Sequence, residues 1–190
     1  MAHTLDIEPI DASFGAVVRG IKVAEVDDTT FRALYDAWLE YALLILPDQH
    51  LARDQQIAFA KRFGPLEFEM AAISNVRADG TLRAEQDNDD VIKVLKGNMG
   101  WHHDSTYMPV QAKGAVFSAE EVPSIGGRTG FADMRAAYDA LDDETKAQCE
   151  NLVCEHSQIY SRQQIGFFEL SDEERERFTP VYQSLVRIHP

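Results

Sequence analysis

The longest uninterrupted apolar run in the chain, Tyr41-Ala42-Leu43-Leu44-Ile45-Leu46-Pro47, is only seven residues long. It is far too short to cross a bilayer, and it suits a buried strand ended by Pro47-Asp48. A chain with apolar runs this short must build its core from several short elements. Thr4 to Ile10 alternates apolar and polar residues and reads as a first strand, and Phe14 to Val23 is a second β-rich run broken at Gly20. Asp27-Asp28-Thr29-Thr30 opens a helix whose apolar face carries Phe31, Leu34, Tyr35 and Trp38, a face that serves either a core or an interface. Asp54 is placed to cap a second helix that packs Ile57, Ala58, Ala60 and Phe63 before Gly64-Pro65 stops it.

Arg77 to Asp90 (RADGTLRAEQDNDD) is polar and nearly free of large apolar groups, which reads as a mobile surface loop: an ordinary connector or a lid beside a pocket. Further strands are expected at Val91 to Leu95, Ala115 to Ala119, Thr129 to Ala132 and Leu152 to His156. Asp133 and Asp142 are placed to start helices, and Glu169 to Arg177 reads as a solvated helix surface. There is no internal repeat and no low-complexity linker. The elements imply a β-rich α+β fold with flanking helices rather than a doubly wound sheet.

At 190 residues and 45% hydrophobic content, the chain suits one globular domain. Eighteen basic against thirty-two acidic residues give a net charge of −14. Such a surface repels phosphate backbones and anionic headgroups, which argues against nucleic acid and membrane as partners. An anionic substrate would need a locally basic pocket. The first residues, MAHTLDIEPID, lack the basic and apolar regions of a secretory signal, and Cys149 and Cys154 lack metal-type spacing. Two reduced thiols in a cytoplasmic protein are the expectation.

The most informative stretch is NMGWHHDSTY, Asn98 to Tyr107. If residues 101 to 105 are extended, His102 and Asp104 share one face while Trp101, His103 and Ser105 share the other. His102, rather than His103, is then the partner of Asp104. The pair supplies two corners of a 2-His-1-carboxylate face for Fe(II); zinc takes the same ligands. A hydrolase dyad is a third reading, although no G-x-S-x-G or reactive-cysteine context accompanies it. A structural histidine hydrogen-bonded to an aspartate leaves the same spacing.

A second stretch narrows the choice: Gly126-Gly127-Arg128-Thr129-Gly130-Phe131-Ala132-Asp133-Met134, then Arg135-Ala136-Ala137-Tyr138-Asp139-Ala140-Leu141. Together with W-H-x-D-x-T-Y, ALLILPDQHL and DQQIAFAKRFGPLE, it resembles the taurine and 2,4-dichlorophenoxyacetate dioxygenase family over nearly the whole chain. The run GNMGWHHDSTYMPVQAKGAVFSAE is most similar to the branch that cleaves aryloxyalkanoates such as phenoxypropionates. The resemblance implies one oxygenase domain over residues 1–190, a double-stranded β-helix (jelly roll) with a lid-like loop near 77–90. It also implies Fe(II), 2-oxoglutarate, O2 and a small organic acid as reactants.

By the same resemblance, His102 and Asp104 match iron ligands and Thr129 matches the residue that bonds the distal carboxylate of 2-oxoglutarate. Asn98 matches a residue lining the pocket, though it also suits a plain turn, and Tyr107 and Met108 stand near the same cavity. Met108 reads more simply as core packing. His156 reads as structural, and His3 and His50 as surface residues. The Gly126-Gly127 pair permits a tight turn before Thr129.

The family's second histidine ligand and its 2-oxoglutarate-binding arginine come late in the chain. Arg187-Ile188-His189-Pro190 resembles a segment that precedes both, so the expectation is two ligands here and the N-terminal two-thirds of a family domain, with an exposed sheet edge. Two rivals stand beside the aryloxyalkanoate reading. One is a taurine-type sulfonate dioxygenase, disfavoured because Met70 to Val76 is mostly apolar and has no histidine. The other is a non-catalytic β-barrel binding module. Whether the chain forms a homo-oligomer is left open.

Overall fold

A computed structural model describes residues 5–87 and 89–188 of the chain. The expectations for Thr4, His3, His189 and Pro190 lie outside the described residues, as does Asn88. The element order is β1 (Asp6–Pro9), β2 (Ala16–Arg19), α1 (Asp28–Tyr41), β3 (Leu44–Ile45), α2 (Arg53–Lys61), a 3-10 turn (Glu85–Asp87), α3 (Asp90–Gly97), α4 (Met134–Asp139), α5 (Asp143–Cys149), β4 (Val153–His156), α6 (Gln158–Gln164), α7 (Asp172–Arg177) and β5 (Val181–Ser184). These fall into two compact units, Met1–Glu69 with Ala115–Leu141, and Met70–Gly114 with Asp142–Pro190. No helix among the described residues is long and apolar enough to cross a membrane.

In the first unit, β1 pairs antiparallel with β2, with Ile7 opposite Val18, and β3 joins β2 in parallel with Leu44 opposite Ala16. A parallel neighbour needs a long crossover, and α1 supplies it. Asp27 starts α1 by accepting the Thr30 N–H at 2.8 Å. The helix then lays Leu34 onto Val18, Val23 and Phe59, and these four side chains are the buried centre of the unit. Phe31, Tyr35 and Trp38 close on Phe63 with ring centroids 5.0, 5.9 and 5.5 Å away, so this face belongs to the unit's own core. Arg62 covers the rim, its guanidinium 4.2 Å from the Phe31 centroid and donating to the Val26 carbonyl at 2.7 Å.

In the second unit, β4 and β5 form an antiparallel pair with Cys154 opposite Gln183 and Glu155 opposite Tyr182. The Tyr182 hydroxyl donates to Glu155 at 2.8 Å on the exposed face. Ser171 and Glu174 cap α7 reciprocally, and Arg162 of α6 reaches Glu174 at 3.0 Å. The C-terminal end of α3 lies against Ile165. A Cβ added to Gly97 would stand 2.8 Å from Ile165 Cγ2, so only glycine allows this approach.

Several expected elements differ. Val91 to Leu95 is helix rather than strand. Asp89 accepts the Ile92 N–H at 2.9 Å, Asp90 adds an acid in the first turn, and this helix start outweighs the β preference of Val91, Ile92 and Val94. Ala115 to Ala119 and Thr129 to Ala132 form no strand among the described residues. The Val116 carbonyl instead accepts from the Gln56 side chain at 3.0 Å, a side-chain partner in place of a ladder. Helix α2 begins one residue before Asp54, with Gln55 accepting the Ala52 N–H at 2.9 Å. The described strands thus make two small sheets, and α7 falls inside the helix surface expected over Glu169 to Arg177.

Leu34 is 1% exposed at the centre of the first unit. Leu34→Ala should lower stability by about 2–5 kcal/mol in urea denaturation. A loss below ~1 kcal/mol would contradict the packing described.

Candidate metal centre

The site grows out of the end of α3. Asn98 closes the helix, its N–H reaching the Val94 carbonyl at 3.0 Å, and the residue is exposed. The chain then runs through Gly100 to His102. His102 Nδ1 lies 2.7 Å from the Gly100 carbonyl oxygen. A carbonyl can only accept, so Nδ1 carries a proton, and in the neutral imidazole the lone pair is on Nε2. That Nε2 lies 3.3 Å from Asp104 Oδ1, with both side chains about half exposed.

The pairing expected of His102 and Asp104 is present, but strand alternation does not produce it. Residues 104–107 form a turn, and Met108 donates back to the Ser105 carbonyl at 3.0 Å. Ser105 is buried and has φ 60°, a left-handed conformation that a non-glycine residue holds only when its surroundings enforce it. This turn folds Asp104 back beside His102. His103 goes elsewhere: its Nδ1 is 2.7 Å from Gln111 Nε2, and the same amide donates to the Asp104 carbonyl at 3.4 Å.

The donor set fits a divalent metal. Two ligands at ~2.1 Å from one ion stand about 3.0 Å apart in octahedral and about 3.4 Å apart in tetrahedral geometry, and the observed 3.3 Å suits either. An imidazole nitrogen with its proton on the far side and a carboxylate oxygen are both suitable donors. Among the described residues, no third His, Cys, Asp or Glu joins them in a cluster.

Asn98, His102, Asp104 and Tyr107 share the second unit, Tyr107 half-buried. Thr129 belongs to the first. There it is exposed and follows the turn at Gly126 and Gly127, whose φ values are 78° and 65°. Asp133 then accepts the Arg135 and Ala136 N–H groups and starts α4 as expected. His50 is exposed, His156 half-buried, and Cys149 and Cys154 are free thiols. Two glutamines that touch the Asp104–Thr106 turn, Gln111 and Gln183, carry no sequence signal, because each acts through contacts that neither periodicity nor spacing encodes.

The polar segment that leads into α3 has its own framework rather than the slack of a free loop. Val76 bridges Leu82, and Arg77 pairs with Asp87 at 2.5 Å and Arg83 with Asp89 at 3.0 Å. The Ala84 N–H and the Arg77 guanidinium hold the Asp87 carboxyl below its usual range. For Asp89 the Ile92 N–H does so first, with Arg83 adding to it. Because both folded-state values are depressed, the support these groups give is full above the ordinary Asp value of about 3.9 and is lost as pH falls through the folded values. The amide NMR signals of Ala84 and Ile92 should therefore titrate with midpoints below about 3.9. Midpoints at or above that value would contradict the network.

Against known proteins, the family model described as "Taurine catabolism dioxygenase TauD, TfdA family" matches residues 6–190. The chain is 64% identical to the (S)-phenoxypropionate/alpha-ketoglutarate-dioxygenase of Sphingobium herbicidovorans, over all of this chain and 68% of that protein. It is 37% identical to the alpha-ketoglutarate-dependent 2,4-dichlorophenoxyacetate dioxygenase of Cupriavidus pinatubonensis, over 95% of this chain and 68% of that one. Among solved structures, AAD-2 in complex with Mn(II) and N-oxalylglycine superposes with a TM-score of 0.82 at 40% identity, over 98% of this chain and 68% of that chain.

Proposed function

This chain belongs to the taurine catabolism dioxygenase TauD, TfdA family, and from that membership we propose that it oxidises aryloxyalkanoates with its metal held by His102 and Asp104. It is an enzyme of the alpha-ketoglutarate-dependent dioxygenase kind. The observation that carries the metal assignment is the 3.3 Å approach of His102 Nε2 to Asp104 Oδ1, with the other imidazole nitrogen committed to Gly100. The family match across residues 6–190 supports reading the chain as one oxygenase domain of the jelly-roll kind, with a lid-like segment near 77–90.

Fe(II) bound with 2-oxoglutarate and O2 supplies the oxidation: 2-oxoglutarate becomes succinate and CO2 while a substrate C–H becomes C–OH. The chain's own residues hold and orient. The Gly100 carbonyl accepts from His102 Nδ1–H and so makes Nε2 the nitrogen that would bind the metal in the neutral imidazole. Asp104 brings a negative charge that offsets part of the cation's. By the family resemblance, the Thr129 hydroxyl would bond the distal carboxylate of 2-oxoglutarate, and Asn98 and Tyr107 would serve the substrate. When the hydroxylated carbon also bears an aryl ether oxygen, the product collapses to a phenol and a keto acid. The Met70 to Val76 stretch, mostly apolar, favours an aromatic ether over a compact sulfonate.

Succinate release measured with (S)-phenoxypropionate and with taurine tests this reading. Turnover should follow phenoxypropionate, fall to background in Asp104→Ala, and in Thr129→Ala require about tenfold or more 2-oxoglutarate, the cost of one hydrogen bond to a charged group. Taurine-dependent succinate without phenoxypropionate turnover would move the substrate to a sulfonate. Full activity in Asp104→Ala would remove the metal assignment.

A further inference from the structure

Strand β5 touches the metal turn directly. Gln183 Nε2 donates to the Thr106 carbonyl at 3.3 Å, across 77 residues of sequence, and Thr106 lies two residues after Asp104. The other end of the same amide is also committed: Arg187 Nη1 donates to Gln183 Oε1 at 2.9 Å. A guanidinium only donates and a backbone carbonyl only accepts, so one orientation of the Gln183 amide satisfies both partners. The register supports the contact. Gln183 and its partner Cys154 lie on the half-buried face of the β4–β5 pair, whereas Tyr182 and Glu155 lie on the exposed one. Beyond β5, the Leu185 N–H reaches the Leu152 carbonyl at 2.9 Å and keeps the strand end in place on the way to Arg187.

The turn needs such a hold. Ser105, between Asp104 and Thr106, is buried at φ 60°, a left-handed conformation that a non-glycine residue keeps only when its surroundings enforce it. The position of Asp104 relative to His102 depends on that conformation persisting. We propose that Gln183 is a positioning residue of the metal centre, fixing the Asp104 turn through the Thr106 carbonyl, and that Arg187 sets the orientation of its amide. This rests on the reading that His102 and Asp104 hold the metal. Neither residue touches metal or substrate in this role.

The test is a Co(II) titration of the purified protein, read by visible absorption, with thermal unfolding of each metal-free variant measured alongside. Parent, His102→Ala, Gln183→Met, Gln183→Glu, Arg187→Met, Tyr182→Ala and the double variant Gln183→Met/Arg187→Met are compared. Glutamate at 183 keeps an acceptor for Arg187 but has no donor for Thr106. Both Gln183 variants should weaken Co(II) binding by about three- to tenfold. The double variant should bind no more weakly than Gln183→Met, because Arg187 acts through Gln183. Tyr182→Ala loosens the same strand pair from its exposed face and should leave Co(II) affinity unchanged. Parent-like affinity in both Gln183 variants, with binding lost in His102→Ala, would overturn the positioning role and leave the metal assignment standing. Equal weakening in Tyr182→Ala would also overturn it, in favour of general support by the sheet. Equal binding by parent and His102→Ala would remove the metal assignment and this inference together.

Discussion

The proposed metal site depends first on the 2.7 Å contact between His102 Nδ1 and the Gly100 carbonyl, which orients the imidazole. It commits one imidazole nitrogen to the backbone and leaves the other as a lone-pair donor facing Asp104. Reverse the tautomer and Nε2 would carry a proton toward the carboxylate, giving an ordinary hydrogen-bonded pair with no metal-binding edge. A structural His–Asp pair keeps a proton between imidazole and carboxylate, whereas a metal edge needs Nε2 without one. The half-exposed surroundings of both side chains agree with the second, since a pair kept only for packing has no need of access.

Much of the second unit can be understood as holding that backbone carbonyl and the Asp104 turn in register. Upstream, the Arg77–Asp87 and Arg83–Asp89 pairs tie the polar segment, and Asp89 passes that order into α3 by capping it. The helix is then set against Ile165 through Gly97 and against Phe167 through Lys93, whose ammonium lies 5.4 Å from the ring centroid. Downstream, Gln111 and Gln183 reach the turn from two sides. None of these contacts is strong alone, being solvent-accessible ion pairs, a cation–π contact, packing at one glycine and hydrogen bonds from neutral amides. Their shared target makes them act together on one short stretch of backbone.

What was legible in the sequence is what is local. Asp27, Asp133 and Asp142 announce their helices because a cap is a contact over two or three residues. The Leu34 face was legible for the same reason. Val91 to Leu95 misled because β-branched side chains signal a strand, whereas the two aspartates before them build a helix start. Spacing paired His102 with Asp104 through an assumed strand. The chain reaches the same pairing through a turn at Ser105, whose left-handed backbone no residue pattern foretells. Strand β5 and Gln183 were invisible because their meaning lies in partners 25 to 77 residues away. The link from the H-x-D pair to iron and 2-oxoglutarate came from whole-motif resemblance, which spacing alone could not provide.

The most direct measurement is an anaerobic titration of the purified protein with Fe(II) and 2-oxoglutarate, followed in the visible range. Chelation of the iron by 2-oxoglutarate should produce a metal-to-ligand charge-transfer band in the parent protein, and Asp104→Ala should lose it. Absence of the band in the folded parent, or an unchanged band in Asp104→Ala, would contradict the account of His102 and Asp104 as one edge of an iron site.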